Sequence, residues 1–230
     1  PLKTYTNIHE GNALCMDWNE VVPADELNYI MGNPPFLGAR IMSSSQKEDL
    51  LRIFGAKWKN VGNLDYVAGW YKKSQEMMAR NFAIRAALVS TNSVTQGEQV
   101  ANLWKPLMEV GVHIDFAWRT FIWDSEASQK AHVHCVIVGF SMGTSKNKRT
   151  LYDGNTVREV ANINGYLIDG KNIFVESRSR TLCDIPEIGI GNKPIDGGFY
   201  LFSDEEKEEF VCKEPASEKF FKRWYGSDEF

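Results

Sequence analysis

The stretch Leu27-Asn28-Tyr29-Ile30-Met31-Gly32-Asn33-Pro34-Pro35-Phe36 decides the fold of this chain. Its first six residues form a short, mainly apolar run that is typical of a buried strand, and the run ends at an amide and two prolines. Because prolines fix φ and remove backbone donors, the turn is stiff and its carbonyl groups are free to accept hydrogen bonds. Ligands of open α/β sheets bind at the carboxyl ends of the strands, so a ligand site is expected at this turn.

The chemistry of the turn favours a planar ligand that carries an amino group. Asn33 provides a side-chain carbonyl that accepts hydrogen bonds, and Phe36 offers a flat ring for stacking. A nucleobase that has left its stack combines a ring with an exocyclic NH2 group. The alternative is that Asn-Pro-Pro-Phe is only a turn, as Asn-Pro pairs often are.

The composition indicates a soluble globular protein of one domain, or of one domain with an appendage. The chain has 230 residues, of which 43% are hydrophobic. No apolar run approaches the roughly 18 residues of a membrane span. The scattered cysteines favour reduced thiols in the cytoplasm and no metal site. Since the net charge is −4, local basic clusters such as 146–149 and 219–223, or an absent part of the protein, have to provide any attraction for nucleic-acid phosphates.

Hydrophobic patterning predicts an α/β fold. Strands are expected at 13–16, 27–31, 83–90, 113–123 and 131–141, and helices at 44–54, 64–80 and 96–110. Ser44 or Ser45 is expected to cap the first helix, and Pro106 to kink the last one. The final two strands are joined by a loop too short for a helical crossover, so they should pair antiparallel. The order predicts a mostly parallel sheet that ends in an antiparallel hairpin.

The character of the sequence changes after Gly143, which divides the chain into 1–143 and 144–230. Turn signals at Asp153-Gly154-Asn155, Asn164-Gly165 and Asp169-Gly170 predict a small hairpin region. An acidic helix around 204–210 and an aromatic, basic tail at 220–225 follow.

The ordered motifs resemble the amino-methylating DNA methyltransferases that use S-adenosylmethionine, and most closely their adenine-N6 branch. Asn33-Pro34-Pro35-Phe36 resembles the catalytic motif of that family, written Asp/Asn/Ser-Pro-Pro-Tyr/Phe. Asp17, sixteen residues before Asn33, resembles the acidic residue that accepts from the adenine amino group of the cofactor. Asp65-Tyr66 resembles the motif that opens the next helix beside the cofactor pocket. Residues 88–93 and 130–140 resemble the segment behind the target base and the strand after the base-stacking loop.

This resemblance implies a Rossmann-like methyltransferase sheet whose amino-terminal part is missing. Segment 1–143 then corresponds to a partial catalytic domain, and 144–230 to a hairpin extension that leads into a target-recognition region, as in large single-chain restriction-modification enzymes. The implied site residues are Asn33, Pro34, Pro35 and Phe36 for catalysis; Asp17, Trp18, Asn33, Asp65 and Tyr66 for the cofactor; and Phe36, Ser90, Asn92, Phe121, Trp123 and Lys130 for the substrate.

The implied partners are S-adenosylmethionine, duplex DNA with a flipped adenine, and the missing amino-terminal part of the same polypeptide. The chain does not begin with Met, so we expect that it has been processed or cut from something longer. The Gly-rich loop that holds the methionine part of the cofactor should lie upstream of Asp17. We therefore expect these residues alone to bind the cofactor weakly and to be inactive.

The mechanism that the resemblance implies is positioning together with electrostatic stabilisation. The Asn33 side-chain oxygen and the Pro34 carbonyl accept the two amino hydrogens of adenine, which directs the nitrogen lone pair at the methyl carbon. Two alternatives remain open. The same tetrapeptide occurs in enzymes that methylate a protein glutamine or a guanine amino group in RNA, and the chain can also be a non-catalytic nucleic-acid-binding module.

Overall fold

The computed structural model describes residues 8–123, 133–143, 148–178, 181, 183–185 and 196–225. The chain forms two compact units, one up to Ser177 and one from Arg178. The boundary predicted after Gly143 lies within the first unit and stays a prediction. All four cysteines are free, and none of the helices in the described ranges is long and apolar enough to cross a membrane.

A six-stranded mixed sheet forms the centre of the first unit, with the strand order β1-β2-β4-β3-β5-β6. The strands are β1 Tyr29–Gly32, β2 Arg85–Thr91, β3 Val112–Trp123, β4 Val133–Met142, β5 Arg149–Asp153 and β6 Thr156–Val160. The predicted α/β class and the antiparallel β3–β4 hairpin are confirmed. The expectation that the β1 strand is buried is wrong, because β1 lies at one edge of the sheet and Tyr29 and Met31 are exposed. Parallel pairing is limited to β1–β2 and β3–β5, because β4 lies between β2 and β3 and runs against both.

The helices confirm most of the predicted helical segments, with corrections at their ends. They are α1 Trp18–Val21, α2 Ser44–Phe54, α3 Ala68–Arg80, α4 Gly97–Gln99, α5 Lys105–Glu109 and α6 Asp204–Lys213, with a π-helical turn at Val100–Trp104. Ser43, rather than Ser44 or Ser45, caps α2, because it forms a reciprocal capping box with Gln46. Pro106 is the second residue of α5 and follows directly on the π turn, and the kink predicted there stays a prediction.

The strand predicted at 13–16 is wrong, because these residues belong to a turn that Asn12 organises. The backbone N–H of Leu14 donates to Asn12 Oδ1 at 3.0 Å, and that of Cys15 donates to the Asn12 carbonyl at 2.8 Å. An Asn side chain that bonds the backbone two residues further on favours such a turn over a strand. Leu14 is nevertheless buried, so the apolar pattern reflects packing into the core and not strand pairing.

An aromatic cluster joins the helical layer to the sheet. Tyr71 of α3, Trp104 of the π turn and Phe140 of β4 are fully buried, and their ring centroids lie 5.1 to 6.3 Å apart. Trp104 Nε1 donates to the Val94 carbonyl at 2.9 Å. The π turn is therefore anchored in the core by a large ring whose polar atom is also satisfied.

The elements predicted after Gly143 are largely confirmed. β5 and β6 form an antiparallel hairpin around Gly154, whose φ of +57° suits a glycine in a tight turn. In the second unit, α6 is the predicted acidic helix, and its capping box pairs Ser203 with Glu206.

Candidate active site

The residues that were predicted for the site follow strands that run in one direction. β1, β2 and β3 are mutually parallel, because β4 runs against both β2 and β3. Asn33 follows β1, Asn92 follows β2, and Trp123 is the last residue of β3. These residues therefore lie at the carboxyl edge of the sheet, where α/β folds bind ligands. Lys130 lies outside the described residues.

The Asn33-Pro34-Pro35-Phe36 turn presents its polar group to solvent. Asn33 is exposed, Pro34 is buried and Phe36 is half-buried. Within the described part of the chain, no hydrogen bond occupies the Asn33 side chain. The turn thus combines a fixed backbone with a free amide acceptor and a partly accessible ring.

Asp65 and Tyr66 hold the segment that leaves the turn. The Tyr66 N–H donates to the Leu37 carbonyl at 2.9 Å, and the Ala39 N–H donates to Asp65 Oδ1 at 3.2 Å. Asp65 and Tyr66 do not open a helix as predicted, because α3 begins only at Ala68. Asp65 is buried, so its carboxylate is committed to neighbouring side chains and backbone.

The predicted cofactor-binding residues fall beside two separate cavities. Trp18 lines an apolar groove of about 340 Å³ next to β1, and its Nε1 donates to the Ala13 carbonyl at 2.7 Å. Asp17 immediately precedes this ring, is exposed, and accepts from the Asn19 N–H at 2.9 Å as the cap of α1. Asp65 instead lines a cavity of about 740 Å³. The described residues therefore do not bring the whole predicted set together around one cavity.

The predicted substrate-binding residues differ in accessibility. Ser90 is fully buried, and its Oγ lies 2.8 Å from the Tyr71 hydroxyl in the core. Asn92 is half-buried beyond the end of β2. Phe121 and Trp123 lie near the end of β3 with ring centroids 6.3 Å apart, and Trp123 is exposed. An accessible aromatic surface is thus present at this edge, while the Ser90 hydroxyl faces the core.

Two family models match this chain in succession. Residues 1–153 match the model described as MmeI, DNA-methyltransferase domain, and residues 169–230 match the model described as MmeI, target recognition domain. The chain belongs to the MmeI DNA-methyltransferase family. The predicted resemblance to DNA methyltransferases of restriction-modification enzymes is therefore confirmed.

Two relatives of this chain are much longer than the chain itself. DNA methyltransferase A of Bacillus subtilis (strain 168) is 42% identical over 232 residues, which cover 100% of this chain and 26% of that protein. A solved structure of the Type IIL restriction-modification enzyme MmeI in complex with DNA superposes with a TM-score of 0.87 at 45% identity. That match covers 100% of this chain and 31% of the other one, so the chain spans about a quarter to a third of these relatives.

A buried carboxylate that the sequence did not reveal joins helix α2 to the turn at 12–15 and to Tyr66. Asp49 of α2 accepts hydrogen bonds from Asn12 Nδ2 at 2.7 Å, from the Tyr66 hydroxyl at 3.0 Å and from Cys15 Sγ at 3.1 Å. Burial acts to raise the pKa of Asp49, but these hydrogen bonds and Arg52 outweigh it and hold the pKa below its ordinary value. Burial and Asp49 together raise the pKa of Tyr66 to about 12, so Tyr66 is a neutral donor committed to Asp49.

We expect Asp49 to make the stability of the first unit depend on pH. Because its folded-state pKa is lowered, its contribution is present above the unfolded pKa of about 4 and is lost as the pH falls through the folded value. Asp49→Asn should lower the free energy of unfolding by about 1–3 kcal/mol at neutral pH. The difference from wild type should shrink at about pH 3 in urea denaturation. Glu48→Gln is the control, since Glu48 is exposed on the same helix. A pH-independent difference for Asp49→Asn would contradict this account.

Proposed function

We propose that the polypeptide carrying this chain transfers a methyl group from S-adenosylmethionine to the N6 amino group of a flipped adenine in duplex DNA, as part of a restriction-modification system. The observation that carries the proposal is the position of the Asn33–Phe36 turn. It follows β1 at the carboxyl edge of the sheet and leaves the Asn33 amide exposed and without a hydrogen bond within the described part of the chain. Membership of the MmeI DNA-methyltransferase family supports the same reaction class.

The residues of the turn suit an adenine amino group, whose lone pair is delocalised into the ring. The Asn33 side-chain oxygen accepts one N–H hydrogen, and the Pro34 carbonyl accepts the other. This localises the lone pair on nitrogen and directs it at the methyl donor, without a covalent enzyme intermediate. The prolines keep both acceptors in place, because they restrict the backbone on which the acceptors lie.

The described residues fit one end of the cofactor. S-adenosylmethionine supplies an electrophilic methyl group when it is bound. Asp17 offers an exposed carboxylate that can accept from its adenine amino group, and the apolar groove next to β1, which Trp18 lines, suits the adenine ring. We propose that the methionine end is held by residues outside this chain, and that the 230 residues alone bind the cofactor weakly and are inactive. The four free thiols fit a cytoplasmic protein.

We assign base capture to Phe36, with Phe121 or Trp123 as a second aromatic surface. Phe36→Ala should weaken stacking on the flipped base by roughly 1–3 kcal/mol. The measurement is the fluorescence increase of 2-aminopurine at the target position, which reports an unstacked base. Phe82→Ala is a matched control, because Phe82 is an exposed ring that precedes β2 at the other end of the sheet. An unchanged flipping signal in Phe36→Ala would count against the stacking role.

The substrate class is tested by comparing acceptors. The chain and an extended version of about the length of its relatives are incubated with tritiated S-adenosylmethionine and with duplex DNA, RNA or protein. We expect transfer only by the extended version and only to duplex DNA. Transfer to a protein glutamine or to RNA would favour one of the rival substrates. If isothermal titration shows that the extended version does not bind S-adenosylmethionine, the chain is a non-catalytic nucleic-acid-binding module and the proposal fails.

A further inference from the structure

A polar network lies behind the segment that leaves the proposed catalytic turn. Its centre is the buried Asp65 carboxylate, which accepts from the Ala39 N–H at 3.2 Å, from Gln99 Nε2 at 3.2 Å and from Ser93 Oγ. Ser93 Oγ also lies 2.6 Å from Thr91 Oγ1 at the end of β2. The carboxylate thus links Ala39, which follows the turn, to Ser93 after β2 and to Gln99 of α4.

Gln99 holds Asp65 from more than one side. Gln99 Oε1 accepts from the Asp65 N–H at 3.2 Å, while Gln99 Nε2 donates to Asp65 Oδ1 and to the Asn63 carbonyl, the latter at 2.6 Å. Only a side-chain amide supplies an acceptor and two donors in this arrangement. A glutamate of the same shape has no donor and would place a second carboxylate against Asp65.

The backbone around Gln99 is set by the π-helical turn. Gln99 is the last residue of α4, and the π turn Val100–Trp104 begins at the next residue. Val100, Leu103 and Trp104 are fully buried in the core. Single π turns inside helices are frequent at functional sites, because the extra residue changes which side chains face a given direction. Here the turn allows its apolar residues to pack inward while Gln99 reaches Asp65.

We propose that Gln99 is a positioning residue for the catalytic turn. It fixes the Asp65 carboxylate, which in turn holds the backbone N–H of Ala39. The neighbouring Tyr66 N–H holds the carbonyl of Leu37, the residue that directly follows Phe36. The inference rests on the proposed methyl-transfer function. Gln99 does not touch the substrate in this scheme. It limits the movement of the Asn33 and Pro34 acceptors indirectly, because it holds the backbone segment 37–39 that follows the turn.

The test replaces Gln99 with the isosteric Glu in the extended version. A misplacement of the acceptors on the ångström scale should lower kcat about 10- to 100-fold, with the KM for DNA changed less than about 3-fold. Gln99→Met, which removes the hydrogen bonds without adding a carboxylate, should lower kcat less. Glu98→Gln is the matched control and should leave kcat unchanged, since a glutamine oxygen can still accept from Asn63 Nδ2.

A second measurement does not depend on activity. In the 230-residue chain, hydrogen exchange at the Ala39 amide should accelerate roughly tenfold in Gln99→Glu, the scale of one lost hydrogen bond. Exchange in the β3–β4 hairpin should stay unchanged. An unaltered kcat in Gln99→Glu, or accelerated exchange throughout the chain, would overturn the positioning role. An inactive wild-type extended version would instead refute the proposed function, and exchange at Ala39 would still decide whether Gln99 orders the turn.

Discussion

Asn33→Ala is expected to abolish methyl transfer while most DNA binding is retained. The change removes the side-chain acceptor that localises the adenine lone pair, and the loss of one such preorganised group typically costs about 10²–10³-fold or more in kcat. The fold should not suffer, because Asn33 is exposed and forms no side-chain hydrogen bond within the described part of the chain. DNA binding should persist, since phosphate contacts supply much of the affinity of such complexes.

Asn28→Ala is the matched control for this prediction. Asn28 is also exposed, and it lies just before β1 rather than just after it. Asn28→Ala removes the same side-chain amide at the other end of β1, so it should leave the rate of methyl transfer unchanged. Tritiated-methyl transfer measures activity, and an electrophoretic mobility shift with the target duplex measures binding. Full activity of Asn33→Ala in the extended version would refute the mechanism.

Trp104→Ala should have the largest effect on stability. Trp104 is fully buried, packs edge-on against Tyr71 at 5.2 Å between ring centroids, and donates to the Val94 carbonyl. Its truncation leaves a large cavity and an unpaired carbonyl, which should lower the free energy of unfolding by about 3–5 kcal/mol.

Trp118→Ala provides the comparison for the same substitution near the surface. Trp118 is 38% exposed and stacks on Tyr152 at 5.1 Å between ring centroids. Loss of this stacked pair should cost about 0.5–1.5 kcal/mol. Urea denaturation followed by circular dichroism measures both variants. Equal losses would show that the cluster around Trp104 is not the main core of the first unit.

The parts of the fold that the sequence predicted are those with a local physical signal. The β1 strand and its turn were predicted because an apolar run meets two prolines, which cannot continue a strand. The β3–β4 hairpin was predicted because the connection between the two strands is too short to contain a crossover helix. The prediction of a strand at 13–16 was wrong because it interpreted the apolar residues there as a strand. Leu14 is buried by tertiary packing and not by strand pairing. The π turn was missed, because its buried residues fit the periodicity of an ordinary helix.

The site was predictable only in part, for similar reasons. The edge position of Asn33 follows from the order of strands, which hydrophobic patterning reveals. The hydrogen bonds of Asp65 with Gln99, and of Tyr66 with Asp49, do not follow from the sequence. A polar residue looks the same in sequence whether it faces solvent or a buried partner. The direction of Ser90 was equally hidden, because β2 carries small and apolar residues on both faces and its sequence does not mark which face meets the core.

The most direct test of the central claim is nucleoside analysis of DNA modified by the extended version. Duplex DNA is incubated with S-adenosylmethionine and with either the wild-type protein or Asn33→Ala, digested to nucleosides, and separated by mass spectrometry. We predict N6-methyladenine in the wild-type sample and none in the Asn33→Ala sample. A methylated cytosine as the sole product, or equal N6-methyladenine in both samples, would contradict the assignment of the Asn33–Phe36 turn to adenine methylation.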